Sequence, residues 1–196
     1  MSAPTPPRPV RADAERNVTR ILEAAKIVLA DDPTASLERI ADEAGLARAT
    51  VHRRFSSRRA LLEALFAQLN DQYVHALNEA RAESTPPLVA LHRVTELVIE
   101  IKFRHRLAVE IVNGSGVGHS FLSAEVQDRA RALFARLHEA GTITAANPSW
   151  CLRVYLAILD EVHQLPAGAP ELGDGDDLAA RTELQVSTVL GALGHR

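Results

Sequence analysis

Residues 37–55 read LERIADEAGLARATVHRRF, and the spacing within this stretch decides how the chain folds. An apolar-periodic run begins at Leu37 and predicts a short helix to Ala44. Ser36 stands ahead of it as an N-cap, with Arg39 rather than Glu three positions on, so the reciprocal capping box is incomplete. Gly45 follows where the chain must turn with positive φ, and a second helix is expected over Arg48–Phe55. Ala41 is small enough for the second helix to cross there, and Ile40, Ala44, Leu46, Val51 and Phe55 clamp the pair. That combination specifies a helix-turn-helix whose second helix presents Arg48, Ala49, His52 and Arg53 on its other side. Arginine reads a guanine edge through two hydrogen bonds, a pair worth about 1–3 kcal/mol of discrimination, and its charge also serves phosphates.

Outward from this motif the pattern is helical throughout. Upstream, Val18, Ile21, Leu22, Ala25, Val28 and Leu29 form one buried face of a first helix, expected from about Asp13 to Asp31. Residues 1–12 hold four of the ten prolines and are expected to be a disordered or extended arm. Arg8 and Arg11 in that arm have the charge to enter a minor groove, but a solvated tail is the better reading of its length and composition. Downstream, Leu61, Leu62, Leu65, Phe66, Leu69, Tyr73 and Leu77 continue one stripe until Ser84, Thr85, Pro86 and Pro87. Leu91, Val94, Leu97, Val98 and Ile101 mark the next helix, with a kink expected near Lys102, Arg104, His105 and Arg106. A short helix is expected over Leu107–Val112, then helices over about Ser123–Ala140, from Pro148 through Val162, and over Asp177–Leu193.

The fold class is therefore all-α, with about nine helices by periodicity. The expected division is an arm over 1–12, a helix-turn-helix domain over 13–60 and a larger helical bundle over 61–196. A chain of 196 residues buries about 70% of its unfolded surface and needs no staple. The single Cys151 forms no intramolecular disulfide and reads as a small buried hydrophobe, which suits a reducing cytoplasm. Every apolar run is broken well short of the ~18 residues a membrane span needs, and the start has no apolar leader core. A soluble cytoplasmic protein is expected. The net charge of −3 is unevenly spread: residues 1–60 carry 11 Lys and Arg against 8 Asp and Glu, and residues 61–196 carry 11 against 17. The positive part accompanies the helix-turn-helix.

The run LERIADEAGLARATVHRRFSSRRALLEAL resembles the DNA-binding signature of the tetracycline-repressor family. Gly45, Thr50, Phe55, Arg58 and Ala60-Leu61-Leu62 agree in spacing, and the match covers about residues 14–66. Three positions depart from it. Ala47 stands where a Ser or Thr usually caps the recognition helix, which weakens that cap by about 1 kcal/mol. His52 and Arg54 stand where tyrosines are frequent, and Arg54 makes affinity more salt-dependent.

The resemblance implies that Thr50, Arg54 and Arg58 bind phosphates and that Arg48, Ala49, His52 and Arg53 face the major groove, with Ser36 joining the DNA-binding set. It implies a repressor that binds a pseudo-palindromic operator as a homodimer, with two recognition helices about 34–36 Å apart. The last two helices would pair as a four-helix bundle across the two-fold axis. It also implies a small-molecule inducer held in the larger domain. Candidates for polar lining are Glu100, His105, Glu110, Asn113, Arg131, His138, Tyr155 and His163, though for each a surface salt bridge or a satisfied core polar group is the better reading. With aromatic residues at 4%, a modest, mostly aliphatic pocket is expected.

Other classes fare worse. The loop NGSGVGHS over residues 113–120 has the letters of a phosphate-binding turn but no strand before it. His92, His105, His119, His138 and His163 are scattered without nucleophile or metal spacing, and Asp160 with His163 reads as a helical i,i+3 pair. No catalytic residue, metal site or cofactor is expected, and no membrane partner. A ligand-independent architectural DNA binder remains the alternative within DNA-binding proteins.

Overall fold

The structure, a computed structural model, describes residues 8–106, 108, 111, 122–173 and 178–194, with side chains from Asp13 onward. Among the described residues it contains eight α-helices and no strand. In chain order these are α1 (Arg8–Asp31), α2 (Leu37–Ala44), α3 (Arg48–Arg54), α4 (Arg58–Glu79), α5 (Pro87–Arg104), α6 (Ala124–Glu139), α7 (Pro148–Gln164) and α8 (Leu178–Ala192). The helix expected over Leu107–Val112 lies outside the described residues except for Ala108 and Ile111, both buried. The loop over 113–120 lies outside them entirely.

Two boundaries differ from expectation for physical reasons. α1 begins at Arg8, ahead of Asp13. Pro9 falls in its first turn, where the missing N–H would have had no intrahelical partner. α4 stops at Glu79, short of Ser84. Arg81 there takes a left-handed φ of 49°, and the Ala82 amide returns to the Leu77 carbonyl at 3.1 Å. The helix is thus closed by a Schellman-type turn without glycine. Arg136 from α6 donates to the carbonyls of Ala82 and Thr85, which tertiary contact holds the turn.

The chain divides into two compact units, and the boundary falls inside α4, between Gln68 and Leu69. The first unit holds α1–α3, the start of α4, Ala108 and Ile111. Its core is built from Ile21, Ala25 and Leu29 of α1, Ile40 and Ala41 of α2, Val51 and Phe55 around α3, and Leu61 and Leu65 of α4. α1 packs on α2 and α2 on α3, so α2 is the middle layer that fixes α3.

The second unit holds the rest of α4 and α5–α8. α8 packs against both α5 and α7, and α6 against α5 and α7. Five polar side chains on α5 and α8 are buried here: Thr95, Lys102, Arg181, Thr182 and Gln185. Arg181 donates to the Val162 and Leu165 carbonyls at 2.7 and 3.1 Å, closing the C-terminal end of α7. Gln185 Nε2 donates to the Tyr155 carbonyl at 3.0 Å. No described helix is long and apolar enough to cross a membrane.

Candidate nucleic-acid interface

α2 is capped at both ends by the groups its sequence supplies. Ser36 has extended backbone, and its Oγ accepts the Arg39 amide at 3.4 Å. Gly45 sits at φ 62°, ψ 38°, and the Leu46 amide returns to the Ala41 carbonyl at 3.0 Å. Arg20 of α1 adds a latch, donating from Nη2 to the Ala44 carbonyl at 2.7 Å. A cation at the negative end of α2 is favourable, and it ties α1 to the turn that launches α3.

α3 starts at Ala47 with φ −61° and ψ 136° and has no side-chain cap, as the missing Ser or Thr implies. The Thr50 amide is satisfied by the Ala47 carbonyl at 2.8 Å. Val51 is completely buried, and Phe55 ends the helix with its amide on the Val51 carbonyl at 2.8 Å. Those two anchors leave Arg48, Ala49, His52, Arg53 and Arg54 exposed and Thr50 half-buried.

The exposed residues are not electrostatically equivalent. Arg48 lies 3.7 Å from Asp42 of α2. His52 Nε2 is 2.8 Å from Glu38 Oε1, also on α2. The Glu38 carboxyl is held down at about 2, first by that bond to His52 and then by its own amide and Ser36. Arg53 and Arg54, by contrast, have no acidic partner among the described residues. Arg58 is turned inward: it donates to the Pro33 carbonyl, and its Nε is buried. Beside it, Asp32 is lowered by the Thr34 hydroxyl and amide, which bond its Oδ1 at 2.7 and 2.9 Å.

The polar residues expected to line a ligand site do not converge. Glu100 pairs with Arg104 one turn along α5. Arg131 bonds Gln127 and lies 3.3 Å from Asp128 on its own helix. His138 is exposed, with Nδ1 3.3 Å from the Ile143 carbonyl in the turn after α6. His163 is half-buried with its ring edge-on to Phe103 at 5.2 Å, and His105 is half-buried just past α5. Glu110 and Asn113 lie outside the described residues. Tyr155 alone enters the core. Its hydroxyl is 3.2 Å from Thr95 Oγ1 and its ring meets Phe134 edge-on at 5.8 Å; burial pushes the phenol up to about 12. Near it lies a buried ion pair, Lys102 Nζ to Asp160 Oδ1 at 2.7 Å.

The family model for bacterial regulatory proteins of the tetR family matches residues 21–65, which span the α1 core face, α2, α3 and the start of α4. Residues 21–65 thus match the DNA-binding module of that family. The HTH-type transcriptional repressor LfrR of Mycolicibacterium smegmatis is 44% identical over 87 residues, covering 44% of this chain. That match spans only 46% of LfrR's own length. The crystal structure of LfrR in complex with proflavine superposes with a TM-score of 0.58 at 27% identity, covering 89% of this chain and 95% of LfrR. A tetR-family regulatory protein from Rhodococcus RHA1 has the same fold, with a TM-score of 0.74 at 14% identity over 92% of this chain and 98% of that one.

Sequence reading missed the acidic partners on α2 and the Arg20 latch. Glu38 and His52 are fourteen positions apart and Arg20 and Ala44 twenty-four, so no periodic pattern links them. The available signal was the acid content of α2: Glu38 and Asp42 share one face at i,i+4 spacing, opposite the apolar residues that pack inward.

Proposed function

We propose that the chain is a cytoplasmic, sequence-specific transcriptional repressor that binds a pseudo-palindromic operator as a homodimer and is released by a small-molecule inducer. The observation that carries this reading is α3: a helix anchored by buried Val51 and Phe55 that leaves Arg53 and Arg54 exposed, without acidic partners among the described residues. A solvated surface helix would be expected to neutralise such charge along its own length. In this reading residues 13–60 are the DNA-binding domain. Arg48, Ala49, His52 and Arg53 face the bases, and Ser36, Thr50, Arg54 and the donors Arg58 does not give to Pro33 bind phosphates. Residues 61–196 hold the inducer and the dimer interface, the latter formed by α7 and α8.

For the inducer, the polar cluster of Thr95, Tyr155 and Gln185 supports a site beside the α5–α8 core that orients a ligand by hydrogen bonds. LfrR has been crystallised with proflavine, a flat aromatic cation, whereas the low aromatic content here favours a smaller aliphatic ligand. Selection of bound sequences from random DNA tests the reading. Enrichment of one two-fold symmetric site is expected, and a chain that enriches no sequence overturns it. Molar mass in solution at micromolar concentration checks the dimer. Titrating proflavine and a panel of aliphatic amphiphiles against the operator complex checks release, and no release by any of them favours a ligand-independent architectural protein.

A further inference from the structure

Two of the groups assigned to base reading are already engaged by α2, and the pair between His52 and Glu38 has the tighter geometry. At 2.8 Å a proton must lie between His52 Nε2 and Glu38 Oε1. The carboxyl, held at about 2, is ionised at any pH where DNA is duplex, so it only accepts. The proton therefore resides on Nε2, which leaves Nδ1 as the ring nitrogen not engaged by Glu38. A neutral ring with its proton on Nε2 offers Nδ1 as an acceptor, while the imidazolium offers it as a donor. An exposed pair of this kind contributes little stability, so its effect lies in orientation rather than energy.

We infer that Glu38 is a specificity-determining residue that acts through His52. By holding Nε2–H on its own carboxylate, it makes Nδ1 the reading atom at one operator position. The inference rests on the DNA-reading role given to His52 above. Nδ1 of the ring so held accepts from the exocyclic amine of adenine or cytosine in the major groove. Between the two helices Glu38 meets His52 and Asp42 meets Arg48. Asp42 is spent on Arg48, so Glu38 is the acceptor that orients the imidazole.

The test uses the full chain and an operator obtained by random-sequence selection, with affinities measured for all four bases at each position. The wild type should prefer adenine or cytosine at one position by about fivefold, the worth of one hydrogen bond. Glu38→Ala should flatten that position to within twofold, while Glu38→Gln, which keeps an acceptor oxygen, should retain the preference. In a His52→Ala background, Glu38→Ala should change nothing further at that position. If Glu38→Ala keeps the wild-type preference, or still alters the position when His52 is absent, the inference is wrong while DNA reading stands. If the wild type enriches no sequence, the DNA-reading role itself fails and takes the inference with it. Both carboxylate and ring are about half exposed, so these truncations leave the core intact, and far-UV circular dichroism checks that they do.

Discussion

Gly45→Ala should loosen the joint between α2 and α3 by about 2 kcal/mol, from two separable contributions. The first is backbone: Gly45 holds φ 62°, where an L-residue with a Cβ costs about 1–2 kcal/mol. The second is contact: a Cβ at Gly45 would lie 3.3 Å from Arg20 Nη2, so the guanidinium must retreat by a few tenths of an ångström. That retreat lengthens its 2.7 Å bond to the Ala44 carbonyl, a charge-assisted bond on an exposed side chain worth about 0.5–1 kcal/mol. For a chain of this length about 2 kcal/mol lowers Tm by roughly 4–8 °C. Differential scanning calorimetry reads the total, and two companion variants divide it. Gly45→Asn carries the same Cβ but tolerates the left-handed region, so it should lose about half as much as Gly45→Ala. Arg20→Ala should cost less in the Gly45→Ala background than in the wild type, because the latch is already weakened there. A Gly45→Ala protein within 0.5 kcal/mol of wild type would refute the strain argument, and full additivity with Arg20→Ala would refute the contact argument.

Other substitutions test the remaining links. Ala47→Ser supplies the missing cap at a backbone already extended for it and should stabilise the chain by about 1 kcal/mol in urea unfolding; no gain would mean the Thr50 amide is better served by the Ala47 carbonyl than by a hydroxyl. Because the Glu38 carboxyl falls from 4.5 to about 2 on folding, its contribution is complete above about pH 4.5 and disappears as pH drops toward 2. On so exposed a pair that contribution is small, so the check is spectroscopic: in His52→Ala the Glu38 carboxyl should titrate closer to 4.5 by carboxyl NMR shifts, and an unchanged midpoint contradicts the pairing. Arg53→Ala should weaken the operator more than random DNA, whereas Arg54→Ala should weaken both alike and reduce the salt slope by about one, a contrast that fluorescence anisotropy across ionic strength resolves. Lys102→Met removes the ammonium from a partly buried Asp160 and should cost about 2–3 kcal/mol, so an unchanged urea midpoint would show that the ion pair carries no stability.

The helix-turn-helix was legible because its determinants are local. Ala41, Gly45, Val51 and Phe55 act through their immediate neighbours at fixed separations, and all but the exposed turn glycine are buried as the spacing requires. The second unit was legible only as helices. The periodic stripe of α5 pointed to Leu97 and Val98, which are half-buried, while Thr95, Ile99 and Lys102 are buried instead. A threonine and a lysine enter a core only when distant residues satisfy them, here Tyr155 and Asp160 across more than fifty positions. Arg181 and Gln185 reverse the same rule on α8, displacing the expected Leu184 to a half-buried position because they close carbonyls on α7. Trp150, counted on the apolar face of its helix, is 52% exposed and stacked under Arg153. One turn of helix offers a tryptophan both an inward and an outward direction, and periodicity alone does not choose between them.

The charge pattern of α3 follows from the same long-range pairing and bears on how the interface discriminates. A chain of net charge −3 is not drawn to DNA as a whole, so attraction must come from charge that the fold leaves uncompensated. Among the described residues α2 places Asp42 against Arg48 and Glu38 against His52, and leaves Arg53 and Arg54 without acids. In the proposed reading Arg54 meets phosphate and carries non-specific attraction, which scales with phosphate-neutralising charge. In the same reading Arg48 exchanges Asp42 for a base edge, an exchange that only a correct base repays. Acids on the middle helix thus lower affinity everywhere except at the matching site, which widens the gap between operator and bulk DNA without adding a single contact to the operator.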